Sequence, residues 1–402
     1  MTDAVETPAE PVEKRVSWAE LFFDLVFVFA VTEVSTLLEA DHSWGGALRA
    51  LVVFVPIYWA WVGVAIQTNV RDMSTPALRI GMFAVALAGL FMALAVPDAY
   101  GDRALLFALS YWAARLVLGF ALFSREGWRI NPYTVSMAIT GPLLVVGALA
   151  DGWARVAIWG LAALIDLSTP TVLRRRLRGM HFDAPHLAER FGLFVLIALG
   201  ESVVAIGSSA APAGRLGVAV GFAVAAAFTV SAGLWWVYFA YAADAVRHAL
   251  ATAQVQLDVT RLVLSYGHLS LIAAIIAVGV GLREAVAHPG AALPPGGVGL
   301  LFGGTALYLA TFGYTRWTMF HLVSTTRLTA AGVVVLLIVP AAHLPATAAL
   351  VLLAAVLVAL NTVEYLRVDS IGWRALLARR RGSSGSSGSS PSGGSGGSGS
   401  EP

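Results

Sequence analysis

Glu20 and Asp24 lie one helical turn apart inside an apolar run, Val16-Ser17-Trp18-Ala19-Glu20-Leu21-Phe22-Phe23-Asp24-Leu25-Val26-Phe27-Val28-Phe29. At 100° per residue the two carboxylates are about 40° apart on a helix. An ionisable group in a spanning helix costs roughly 2.5–3.5 kcal/mol or more unless it is paired or wetted. Two carboxylates this close also repel. A structural partner, a bound cation or a proton path must offset both penalties. Glu33, nine residues on, falls on the opposite face and reads as interfacial.

A second constellation opens with Glu189-Arg190-Phe191-Gly192-Leu193-Phe194 and continues through Leu199-Gly200-Glu201-Ser202. Arg190 and Glu201 share one helical stripe but stand roughly 16 Å apart along the axis. They cannot pair with each other, so each needs a partner on another helix or water. Gly192, Gly200, Ser202 and Gly207 would let a second backbone approach closely. Arg115, Asp166, Asp244 and His268 are further buried candidates. Arg115 needs a carboxylate, which Asp24, Asp166 or Glu201 could supply. For all of these groups a structural ion pair that fixes helix register is as reasonable as transport chemistry. His268 reads first as a satisfied core histidine. His181, Asp183 and His186 are spaced loosely like metal ligands, but one loop without a fourth partner argues against a metal. The expectation is no metal and no cofactor. There is no phosphate-binding glycine loop, no His-Glu-x-x-His and no Gly-x-Ser-x-Gly, and no soluble catalytic domain, so an enzyme is not expected.

The elements that must position these groups are membrane spans. The 402 residues are 58% hydrophobic and 12% charged, against about one quarter charged in an ordinary globular domain. The mean hydropathy is +0.77. The absence of cysteine excludes disulfides, thiolate catalysis and thiolate-bound metal. Apolar runs of about 20 residues give twelve candidate spans. They lie near 17–38, 46–68, 76–96, 103–123, 132–149, 153–171, 187–209, 214–243, 257–284, 298–320, 326–343 and 346–366. The expected fold is therefore all-α and polytopic. If the chain begins on one side and alternates, nineteen Lys and Arg fall on the starting side and five on the other. By the positive-inside rule both termini are then cytoplasmic. Arg174-Arg175-Arg176-Leu177-Arg178 is the densest basic cluster in the body of the chain and reads as a topology anchor at anionic headgroups. The Trp59-Ala60-Trp61 and Trp235-Trp236 clusters read as helix packing or an interfacial belt.

The two halves look related. Leu105-Leu106-Phe107 and Leu300-Leu301-Phe302 open the fourth and tenth spans, and the same offset carries Asp166 onto Asn361. Trp61 with Asn69 matches Trp236 with Asp244. Six spans return a chain to its starting side, so the expected halves are two parallel repeats related by an axis along the membrane normal. The expected division is a disordered leader over 1–14, a first repeat over 15–178, a connector over 179–186 and a second repeat over 187–370. A basic and then Gly/Ser-rich tail completes it over 371–402.

The stretch Glu20 to Phe29, together with Glu189-Arg190-Phe191-Gly192-Leu193-Phe194 and Ala198-Leu199-Gly200-Glu201-Ser202, resembles the bacterial low temperature requirement A protein family over most of residues 15–370. The resemblance implies a bacterial polytopic membrane protein, placed in the inner membrane, and supplies no substrate. Phe22-Phe23-Asp24 also looks a little like a family of potassium channels with two six-span repeats, which carry Phe-Ser-Asp there. The leading expectation is a transporter for a small solute, coupled to protons or cations, with Glu20, Asp24 and Glu201 meeting between the repeats and Arg115 or Arg190 balancing them. The alternatives are a cation channel lined by the first and seventh spans, or a non-transporting membrane enzyme or scaffold whose carboxylates are purely structural. The expected partners are the lipid bilayer and a small solute or cation, not nucleic acid.

Overall fold

The computed structural model describes residues 14–71, 75–126, 130–211 and 217–384. The expected leader, apart from Lys14, and the Gly/Ser tail from 385 onward lie outside the described residues. Helices carry the fold: α1 Trp18–Ala40, α2 Trp44–Val70, α3 Pro76–Asp98, α4 Ala104–Glu126, α5 Pro132–Ala148 and α6 Gly152–Val172. They continue with α7 Ala184–Ala210, α8 Val218–Thr252, α9 Gln256–Ala287, α10 Pro295–Phe320, α11 Thr325–Leu336 and α12 Ala346–Ser384. No strand occurs among the described residues. A lone antiparallel bridge between Ala292 and Pro345 ties the turn before α10 to the start of α12.

Eight of these helices are long and apolar enough to cross a membrane by length and composition: α1, α2, α3, α7, α8, α9, α10 and α12 up to Arg367. Helices α4 (Ala104–Phe120), α5 and α11 have shorter apolar stretches. The outer faces are greasy. Ile80, Phe83, Leu87, Leu90, Phe91 and Leu94 form an exposed stripe along α3, a surface that a water-soluble protein would cover. Trp18, Trp44 and Trp153 stand exposed at the starts of α1, α2 and α6, where indoles favour headgroup depth.

Local sequence explains where the helices begin. Ser17 and Glu20 form a capping box: the Ser17 N–H donates to Glu20 Oε2 (2.9 Å), and the Ser17 hydroxyl accepts from the Glu20 N–H (3.4 Å). Ser43 caps α2 through the Gly46 N–H, and Asp183 caps α7 through the His186 N–H. Lys14 closes the far end of α2 by donating to the carbonyls of Thr68, Asn69 and Arg71, where the helix dipole favours a cation. Four helices widen locally into π turns, at Ser136–Thr140 in α5, Tyr238–Ala242 in α8, Thr260–Gly267 in α9 and Gly299–Gly303 in α10.

The packing forms two rings. Helix α1 lies on α2 and α3, α3 on α4, α4 on α5, α5 on α6, and α6 returns to α2. In the second half α7 lies on α8 and α9, α9 on α10, α10 on α11, α11 on α12, and α12 returns to α8. The halves meet through α1 and α2 against α7 and α9. Helix α2, the most deeply buried of the eight, is the hinge of this contact. Its Trp59 stacks on Tyr266, its Trp61 stacks on Phe194 with centroids 4.2 Å apart, and its Tyr58 hydroxyl donates to the Leu264 and Ser265 carbonyls.

Candidate functional site

At the seam between α1 and α7, Arg190 Nη2 donates to Asp24 Oδ1 (2.6 Å), and Nη1 reaches Glu20 Oε1 (3.2 Å) and the Thr68 hydroxyl (2.6 Å). Both carboxylates therefore meet one guanidinium, which is what their 40° separation on α1 allows. The Trp61 indole N–H donates to the same Asp24 oxygen at 2.7 Å. The His186 imidazole completes the set. Its Nδ1 faces the Asn69 amide nitrogen (3.0 Å), while the Asn69 carbonyl oxygen accepts from the Asp183 N–H. Nδ1 is thus the acceptor, so Nε2 carries the hydrogen toward Glu20, 3.3 Å away. The neutral imidazole satisfies both neighbours. Two carboxylates thus share one guanidinium, and Asp24 Oδ2 has no hydrogen-bond partner. Asp24 and Arg190 are both 0% exposed. The seam is filled, with the Phe23 and Trp61 rings lying 5.8 Å from the guanidinium carbon.

A second buried charge set lies in the first half. Asp166 on α6 accepts from the hydroxyls of Tyr111, Ser136 (2.6 Å) and Thr140 (3.0 Å). The Tyr111 oxygen accepts in turn from Arg115 Nε at 2.9 Å. Of the three carboxylates offered to Arg115 by the sequence, it takes Asp166, through a phenol.

Glu201 does not join Asp24. It lies near the opposite end of α7, where Arg283 of α9 spans Glu39 (3.4 Å) and Glu201 (3.9 Å). The expected meeting of Glu20, Asp24 and Glu201 is corrected here, and the reason is the axial separation that already keeps Arg190 from Glu201. Asp244 is also corrected. Its side chain is 77% exposed and pairs with Arg247 on the same helix, because it lies on the outward face of α8, opposite the buried Val246, Ala249 and Leu250. The glycines Gly192, Gly200 and Gly207 admit no close backbone. The tight approach is at Gly281, where an added Cβ would lie 2.6 Å from the Leu301 side chain and 2.9 Å from its backbone nitrogen.

His268 is buried, with Nδ1 facing the Val263 carbonyl (3.0 Å) and Nε2 facing the Tyr238 hydroxyl (2.8 Å). A carbonyl only accepts, so Nδ1 carries the hydrogen and Nε2 accepts from Tyr238. Tyr238 opens one π turn and His268 follows another, and both line a cavity of about 460 Å³ between α8, α9, α10, α11 and α12. On its wall Glu364 accepts from Arg327 Nε and Nη2, each at 2.9 Å, and from the Thr326 hydroxyl. Arg327 also covers the Phe312 ring. Among the described residues no group of three His, Asp or Glu side chains could hold a metal ion. Asp183 and His186 are instead engaged as helix cap and cluster member.

Residues 15–362 match the model of the bacterial low temperature requirement A protein family. The chain belongs to that family. An uncharacterized protein of Rhizobium meliloti (strain 1021) is 30% identical over 298 residues, which cover 69% of this chain and 71% of the relative. No solved structure matches. In this low temperature requirement A chain, the two motifs that carry the resemblance are the two sides of the Arg190 seam. Thr68 completes it without a sequence signal of its own, while Trp61, Asn69 and His186 stood out in the sequence for other reasons and nothing there tied them to Glu20, Asp24 and Arg190. Ser17 had one: Ser-x-x-Glu ahead of an apolar run is a capping-box signature.

Proposed function

We propose that this low temperature requirement A protein is a transporter for a small solute in the bacterial inner membrane. In this reading twelve helices span the bilayer as two parallel six-helix repeats, and both termini are cytoplasmic. The matching helix rings of the two halves and the nineteen-to-five distribution of Lys and Arg support the topology. The observation that carries the transport reading is the cavity of about 460 Å³ reaching the Tyr238–His268 pair, a size typical of small-molecule pockets (roughly 300–1,000 Å³). The uneven charge at the seam supports proton coupling: a proton on Asp24 Oδ2 would balance the second carboxylate against Arg190.

The test is current recording from proteoliposomes on a solid support, with pulses of amino acids, carboxylates, sugars and organic cations. The reading expects a saturable, pH-dependent current for one of these classes, lost in Asp24→Asn and weakened in His268→Phe. Wild-type currents no larger than those of empty liposomes for every class would remove it. A second reading, a non-transporting scaffold, is favoured by the fully sealed state of Asp24 and Arg190. It expects no solute current from the wild type, with the thermal stability lost in Arg190→Gln as the cluster's one measurable effect.

A further inference from the structure

We propose that a second cavity, at the seam of the two halves, is a binding site for a phosphate-class anion. It lies among α2, α4, the start of α5, the connector after α6 and the first turns of α9. The charged side chains lining it are Arg115 and Arg261, with no acid among them. Each leaves a buried donor unused: Nη2 of Arg115 and Nε of Arg261 have no hydrogen-bond partner. Thr260 on the same wall also has a buried hydroxyl without a partner, being the first residue of the π turn in α9. A guanidinium NH2, a guanidinium N–H and a hydroxyl, all able to donate and none answered, belong to three residues that line one space.

The nearby acids are already occupied. Asp166 is not in the cavity wall and receives three hydroxyl hydrogen bonds on the far side of Tyr111. Asp258 accepts from Arg174 (2.8 Å) and from Arg261 Nη2 (3.2 Å), while Arg261 Nη1 goes to Thr171. Arg115 has no carboxylate within ion-pair distance among the described residues, although it is 1% exposed. Buried donors are ordinarily satisfied, and these three suit an anion with several acceptor oxygens. The cavity has a volume of about 70 Å³, where a single water needs roughly 10–15 Å³. That leaves room for a tetrahedral oxyanion, more than a halide requires. Trp59, Tyr133, Leu177, Met180 and Phe182 line the remainder and suit an organic or acyl portion. The phosphate could therefore be free in solution or belong to a phospholipid headgroup. The inference does not depend on transport.

The experiment uses the full chain stripped of lipid in detergent. Its thermal midpoint is followed while inorganic phosphate is titrated against chloride at equal ionic strength. In parallel, native mass spectrometry counts phosphatidylglycerol and phosphatidylcholine retained per chain. A saturable rise with phosphate alone supports a free-anion source. Retention of one phosphatidylglycerol, and no phosphatidylcholine, supports a lipid source. In either case Arg261→Gln and Thr260→Val, which leave the Arg115–Tyr111–Asp166 chain intact, should weaken binding by about tenfold or more, the worth of one charge-assisted hydrogen bond. Neither phosphate stabilisation nor a retained anionic lipid in the wild type, or undiminished binding in both variants, would overturn the proposal.

Discussion

Arg190 holds two acidic residues at once, and the consequences of removing each partner differ in size. Replacing Arg190 by Gln leaves two carboxylates buried without a cation, a loss of about 3–5 kcal/mol for one broken buried pair. Replacing Asp24 by Asn leaves Glu20 matched to Arg190 and keeps an oxygen for the Trp61 N–H. The expected order in detergent thermal unfolding is therefore a large drop for Arg190→Gln and a small or absent one for Asp24→Asn. Equal losses would contradict the charge count at the seam. A second expectation concerns Asp41 in the turn after α1. The Ser43 hydroxyl and N–H, then Arg49, hold its carboxyl below the ordinary range. A lowered folded-state pKa contributes stability that is present at neutral pH and lost as acid protonates the group. Asp41→Asn should thus lower the unfolding midpoint at pH 7, and the difference should close below about pH 4. The seam was partly legible in the chain: the spacing of Glu20 and Asp24 put them on one face, and the length of α7 kept Arg190 from Glu201. Their common partner was not legible, since pairing across 166 and 170 positions leaves no periodic trace.

At the scale of the element, the apolar windows read from sequence fall on the helices, but two properties were hidden. One is how far a helix runs beyond its apolar window. Helix α8 has 35 residues, about 52 Å at 1.5 Å per residue, well past a hydrocarbon core of roughly 30 Å. Asp244 lies in that extension on the face turned away from the buried Val246, Ala249 and Leu250, so it reaches solvent although its apolar neighbours suggested burial. The other is where backbones touch. Small residues are necessary for close approach but do not announce it: α7 carries open glycines, whereas α9 uses Gly281 against the π turn of α10. Gly281→Ala should therefore force α9 and α10 apart and destabilise the fold. Gly200→Ala meets nothing within 4 Å and should be neutral or stabilising by up to ~1 kcal/mol from helix propensity. Unfolding of the two variants side by side checks this. A greater loss at Gly200 would place the tight contact on the wrong helix.

At the scale of the molecule, two rings of helices share a seam built from α1, α2, α7 and α9, and the pieces with functional potential sit around it. The filled Arg190 cluster lies near the start of α1. The Arg283 pairs with Glu39 and Glu201 close the other end of the same helices. The large cavity enters the second ring from the side where α10 ends and α11 begins. A transporter must close that cavity and open the Glu201 end in turn, which makes Ser35, 6% exposed beside Glu201, the most telling position. Because the chain has no cysteine, a single Ser35→Cys reporter is unambiguous. The decisive measurement is its labelling by a membrane-impermeant maleimide in proteoliposomes, with and without Met319→Trp, which places a bulky side chain in the large cavity. Alternating access gives slow labelling from the Glu201 side that changes several-fold once the cavity is blocked. A Ser35→Cys that never labels, or labels at the same rate in both states, would contradict it.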